Sequence, residues 1–120
     1  MKLRYEKNVR VLTDIMGYCH LVGGTSFQID FTMKEEVSDI TIKTKIPGLP
    51  AENLHEIDKM LNIPRQREVE QYYWNISGGE EIDNELGLAG MMVDEAFVSY
   101  ENDILTIKAC RYDAPSPDFL

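Results

Sequence analysis

The chain has 120 residues, 43% of them hydrophobic and 28% charged, the make-up of one ordinary globular domain with a sizeable core. Its net charge of −9 excludes the usual mode of DNA or RNA binding, in which Lys and Arg displace counterions from phosphates. Two cysteines without metal-ligand spacing, no apolar leader and no run of bilayer length predict a cytoplasmic protein with neither a nucleic-acid nor a membrane partner.

Val9, Leu12, Met16 and Cys19, with Ile15 and Tyr18 beside them, recur at helical spacing and predict an amphipathic helix from Tyr5 to Val22, ended by Gly23-Gly24. Phe27, Ile29, Phe31 and Met33 alternate with polar residues, the pattern of a strand with one buried face. After a turn at Lys34-Glu35-Glu36, Ile40, Ile42 and Ile46 set the inner face of a second strand, so the two form a hairpin that Pro47 and Pro50 stop. Leu54, Ile57, Met60 and Leu61 predict a helix over about 50–61. Pro64 opens a helical segment carrying Val69, Tyr72, Tyr73 and Ile76, closed by Gly78-Gly79. A helix from Leu86 to Asp94 then leads into a strand near Ala96–Tyr100, a turn at Glu101-Asn102-Asp103, and a last strand from Ile104 to Ala109.

Hairpins separated by helical blocks predict an α+β two-layer sandwich, a mainly antiparallel sheet covered on one face by helices. The expected core is Phe27, Ile29, Phe31, Ile40, Ile42, Leu105 and Ile107 from the sheet, with Leu12, Met16, Leu54 and Leu88 from the helices. Residues 1–111 form a single domain in this reading, and 112–120, with two prolines, are a mobile tail.

Two segments stand out in order. Glu85-Leu86-Gly87-Leu88-Ala89-Gly90-Met91-Met92-Val93-Asp94-Glu95 joins a glycine-punctuated loop to a helix and the final hairpin, and Thr44-Lys45-Ile46-Pro47-Gly48-Leu49-Pro50 joins a strand through a turn to a helix start. Together they resemble the late glycine box and the Asp-x-Gly-Pro-Gly-Ile-Pro turn of the histidine-kinase-like ATPases (the GHKL superfamily), in the branch of the anti-sigma factor serine kinases. The resemblance implies the same sheet-and-helix sandwich, with a nucleotide site between the layers. It also implies, on the first helix, an acidic general base and, four residues later, an Asn holding the magnesium of Mg-ATP. Laid on that motif, Asp14 falls on the acid and Tyr18 on the Asn, and a neutral phenol is a poor magnesium ligand.

The other two parts of the implied pocket depart in the same direction. Thr44 stands where the family has its adenine-binding Asp, and Ile46 stands at the first glycine, while Gly48 keeps the second. In the late loop Glu85 replaces the first glycine and would repel phosphate, while Gly87 remains. A degenerate nucleotide pocket at Asp14, Tyr18, Thr44, Gly48 and Gly87 is therefore expected, with no metal ion and no cofactor. The alternative is an active ATP- and Mg-dependent serine kinase or small ATPase, with Asp14 as its base.

Plainer readings stand beside these. Asp14 also fits a solvated helix charge, and Gly87 and Gly90 fit simple close packing. His20 and His55 have no metal-ligand partners, and no serine or cysteine sits in a nucleophile motif. Tyr72-Tyr73-Trp74 is the one aromatic cluster; with Tyr73 turned to the core, Tyr72 and Trp74 can anchor a protein partner or a second copy of the chain, and a buried Trp74 is the alternative. The expected function is that of a catalytically silent histidine-kinase-like domain, a regulatory or protein-binding module in bacterial signalling.

Overall fold

The computed structural model of the chain describes residues 2–65, 67–68, 70–71 and 89–113. Helix α1 (Lys2–Leu21) is followed by strands β1 (Phe27–Met33) and β2 (Val37–Lys45), helix α2 (Ala51–Leu61), a single helical turn at Ala89–Met92, and strands β3 (Glu95–Glu101) and β4 (Ile104–Tyr112). The strands form one antiparallel sheet in the order β1-β2-β4-β3, packed against the helices, so the fold is α+β. Residues 67, 68, 70 and 71 are helical, as expected after Pro64. Tyr73, Ile76 and Gly78-Gly79 lie outside the described residues.

Local chemistry accounts for each boundary. Gly23, at φ +120°, breaks α1, and the amides of Val22 and Gly24 bond back to Tyr18 and Cys19. Asn102 and Asp103 both take positive φ, 53° and 64°, which is what a two-residue hairpin needs to match the twist of β3 and β4. The helical turn stops at Met92 rather than at Asp94, because the Asp94 amide already donates to Cys110 O, 3.0 Å away, and so begins the ladder with β4. Strand β4 runs three residues further than expected: Tyr112 pairs with Val37, and Asp113 N bonds Glu36 O. Tyr112 and Asp113 are thus anchored parts of the domain; 114–120 lie outside the described residues.

The central strands hold the core. Ile42 faces Ile107 across the ladder and Ile29 on its other side, and Ile40 faces Ala109. Ile40, Ile42, Leu105 and Ile107 are buried as expected, together with Ile57 and Leu61 of α2. Two expectations differ. Ile29 is 40% exposed, and Phe27 and Phe31 are only partly buried, because β1 is an edge strand while α1 packs on β2 and α2 on β3. On α1 the buried stripe is Asn8, Val11, Ile15 and Tyr18, one residue round from the expected Leu12 and Met16, which are partly buried on its flank. Leu54 is likewise partly buried, and Leu88 lies outside the described residues. The stripe continues a 4-3 spacing back to Arg4, and its polar members had hidden it.

Candidate functional site

Four of the residues predicted for the nucleotide pocket can be placed. Asp14 lies on the flank of α1, where Oδ1 accepts from Arg10 Nε at 2.9 Å and Oδ2 from the backbone N–H of Ala89 at 3.3 Å. Tyr18, one turn on, is 2% exposed and its hydroxyl donates to Glu56 Oε1 of α2 at 2.8 Å. The two side chains therefore serve different neighbours: Asp14 meets the turn at Ala89, and Tyr18 ties α1 to α2. Thr44 is 3% exposed, and its Oγ1 has no hydrogen-bond partner among the described residues. It is closed off by the end of α1, where a Cβ on Gly24 would fall 2.7 Å from that oxygen.

Gly48 sits in the exposed turn between β2 and α2 at φ +71°, with open space where a side chain would go. Tyr100 of β3 holds this turn: its hydroxyl donates to Ile46 O at 2.6 Å and accepts from Leu49 N at 3.1 Å. Gly87, Glu85, Tyr72 and Trp74 lie outside the described residues. At this end the placed groups are an acid already paired with Arg10, a phenol bonded to a carboxylate, and a hydroxyl sealed under backbone. Neither cysteine is set up as a nucleophile: burial pushes the Cys19 thiol up to about 11, and burial with the hydrogen bond to Asp39 does the same for Cys110. Among the described residues no cluster of His, Cys, Asp and Glu could hold a metal ion.

A second constellation lies where the inward stripes end in polar residues. Arg111 of β4 is 1% exposed; its Nε donates to Met92 O at 2.9 Å, Nη1 to Asn8 Oδ1, and Nη2 to Glu70 Oε2 at 3.4 Å. Glu70, 2% exposed, also accepts from Arg65 Nε at 3.0 Å, Arg65 Nη2 at 3.2 Å and Lys7 Nζ at 3.2 Å. Arg65 reaches on to Asp94 Oδ2 at 2.8 Å and Asp113 Oδ1 at 3.1 Å, and Arg67 to Asp113 Oδ1 at 3.4 Å and Tyr112 O at 2.6 Å. Arg4 joins from α1, with Nη2 on Lys34 O at 2.6 Å and on Ser38 Oγ at 3.0 Å. A cavity of about 240 Å³ opens among Arg4, Lys7, Arg65, Arg67, Arg111 and the carboxylates of Glu70 and Asp113.

Burial and ion pairing oppose each other across this cluster. Burial works against the Arg65 guanidinium, but its bonds to Glu70 and the nearby Asp113 and Asp94 outweigh that and raise its pKa. For Arg111 burial wins: its pKa is lowered, Arg65 adds like-charge repulsion, and Asp113, Glu70 and Asp94 only partly oppose them. Asp113 shows the converse, since burial would raise its carboxyl but Arg111, Arg65 and Arg67 hold it below the ordinary value.

Sequence reasoning missed this cluster, although the signal was there. Arg111 follows Leu105, Ile107 and Ala109 on one face of β4, Ser38 precedes Ile40 and Ile42 on β2, Asp94 precedes Ala96 and Val98 before β3, and Asn8 precedes Val11 and Ile15 on α1. Each element ends its apolar stripe in a polar residue, and the ladder sets Ser38 opposite Arg111. No helix among the described residues is long and apolar enough to cross a membrane. Comparisons with protein-family models, with curated proteins and with solved structures find no match for this chain.

Proposed function

We propose that this chain is a catalytically silent domain of the histidine-kinase-like type, acting in the cytoplasm as a regulatory or protein-binding module in bacterial signalling. The observation that carries the reading is Tyr18. At the position implied for the magnesium-holding amide stands a phenol with 2% exposure whose hydroxyl is committed to Glu56. Thr44, at the implied adenine position, is sealed beneath Gly24 and offers no charged acceptor. Tyr72 and Trp74 remain the proposed anchors for a protein partner or a second copy, and the acidic charge disfavours nucleic acid.

A second reading, an active ATP-dependent serine kinase or small ATPase, is favoured by one feature. Asp14 meets the N–H of Ala89, at the start of the helical turn that follows Gly87-Leu88 in sequence, so an acid bonds to a residue of the implied late glycine box. Isothermal titration of the protein with ATP and magnesium separates the two. The silent reading expects no saturation at micromolar ATP, and a dissociation constant in the micromolar range or tighter overturns it.

A further inference from the structure

We propose that the cavity between the start of α1 and the end of β4 is a binding site for a small dianionic oxyanion, either a phosphate group or a short dicarboxylate. This does not depend on the reading of Tyr18 and Thr44 given above, which concerns the opposite end of α1. Five cations converge here, Arg4, Lys7, Arg65, Arg67 and Arg111, against the three carboxylates Glu70, Asp94 and Asp113. Among the described residues the cluster therefore holds two surplus positive charges, in a chain whose net charge is −9. Four of the chain's five arginines are in it. A network that served only to join the elements would gain by balancing its charges, because an excess of buried charge of one sign adds a desolvation cost.

The geometry leaves a place for the missing charge. The cavity of about 240 Å³ equals the liquid volume of about eight waters, enough for a phosphate group or a four-carbon diacid with some hydration. Arg4 Nε is buried and has no hydrogen-bond partner among the described residues; Asp113 Oδ2, at 3.9 Å, is beyond bonding distance. Arg67, with a side chain 56% exposed, stands where the cluster meets solvent and can turn toward an arriving oxyanion, while Arg65 and Arg111 are held in place beneath it. Planar guanidinium forks suit phosphate and carboxylate oxygens alike. Glu70 and Asp113 also line the cavity and repel an anion at close range. Arg65 and Arg111 contact both of them and offset that repulsion, while Asp113 Oδ2 is left without a hydrogen-bond partner among the described residues.

The test is isothermal titration of the whole chain with inorganic phosphate and, separately, succinate, at ionic strength matched with sodium chloride. It is repeated on Arg67→Gln and on Lys43→Gln, a control on the exposed face of the sheet. The expected result is one saturable site per chain for at least one of the two anions, weakened about tenfold or more by Arg67→Gln and unchanged by Lys43→Gln. Whichever anion binds identifies the source of the oxygens. No saturable binding of either anion at millimolar concentration overturns the proposal, and so does binding that Arg67→Gln leaves intact. Thermal melts without ligand, expected to be similar for wild type and Arg67→Gln, show that the variant is folded.

Discussion

Glu70→Gln is the sharpest test of the charge cluster, because it removes one negative charge while keeping the size of the side chain. The carboxylate of Glu70 is almost wholly buried and accepts from Arg65 at 3.0 and 3.2 Å, Lys7 at 3.2 Å and Arg111 at 3.4 Å. At an effective dielectric near 20, each of these three ion pairs is worth about 5 kcal/mol of attraction before the cost of desolvation, and that cost takes back most of it. Breaking a buried pair by removing one partner typically costs about 3–5 kcal/mol. Here Arg65 keeps Asp94 at 2.8 Å and Asp113 at 3.1 Å, and the new amide oxygen still accepts, which argues for the lower end. Against that, the surplus positive charge rises from two to three. The expected loss is about 3–4 kcal/mol, a large share of the roughly 5–15 kcal/mol that holds a domain folded. Urea unfolding followed by circular dichroism gives the midpoint and slope, and Glu68→Gln, at an exposed position, is the control, expected to stay within about 0.5 kcal/mol. A Glu70→Gln protein within the same 0.5 kcal/mol of wild type would refute the reasoning, since the cluster would then be screened by water.

Two further outcomes are expected. Ile42→Ala removes buried methyls from a side chain 1% exposed and flanked by Ile29 and Ile107, and should cost about 2–5 kcal/mol in the same urea assay; a loss under about 0.5 kcal/mol would mean that the β2 register is wrong. Asp113, whose pKa is lowered in the fold, contributes stability that is present above the unfolded carboxylate value of about 3.9 and is lost as pH falls through its folded value. Stability should therefore drop as the pH falls below about 4, and Asp113→Asn should flatten that part of the profile; parallel wild-type and variant curves there would contradict the assignment.

Among the described residues, the order of the elements and the α+β class were legible in the sequence because they rest on contacts within a few residues. The 3.6-residue spacing of α2, the alternation along β2 and β4, the Gly23 break and the turn at Asn102-Asp103 need no knowledge of the rest of the fold. Burial was less legible. Two apolar stripes one residue apart run along α1, and only its docking on β2 decided that Val11 and Ile15 lie beneath it rather than Leu12 and Met16. Likewise Ile29 alternates as regularly as Ile42, and its exposure follows from the edge position of β1, which the antiparallel pairing of β2 with β4 sets. The charge cluster is the extreme case. Asn8 and Arg111 are 103 residues apart in the chain, and Arg65, Glu70 and Asp113 come from segments that read singly as solvated surface. Helical and strand periodicity is a property of the local backbone, whereas a buried ion network exists only once distant segments have excluded water together. A charged residue at the end of an apolar stripe shows in sequence that something polar waits inside, and the packing of the sheet against the helices decides which partners meet it.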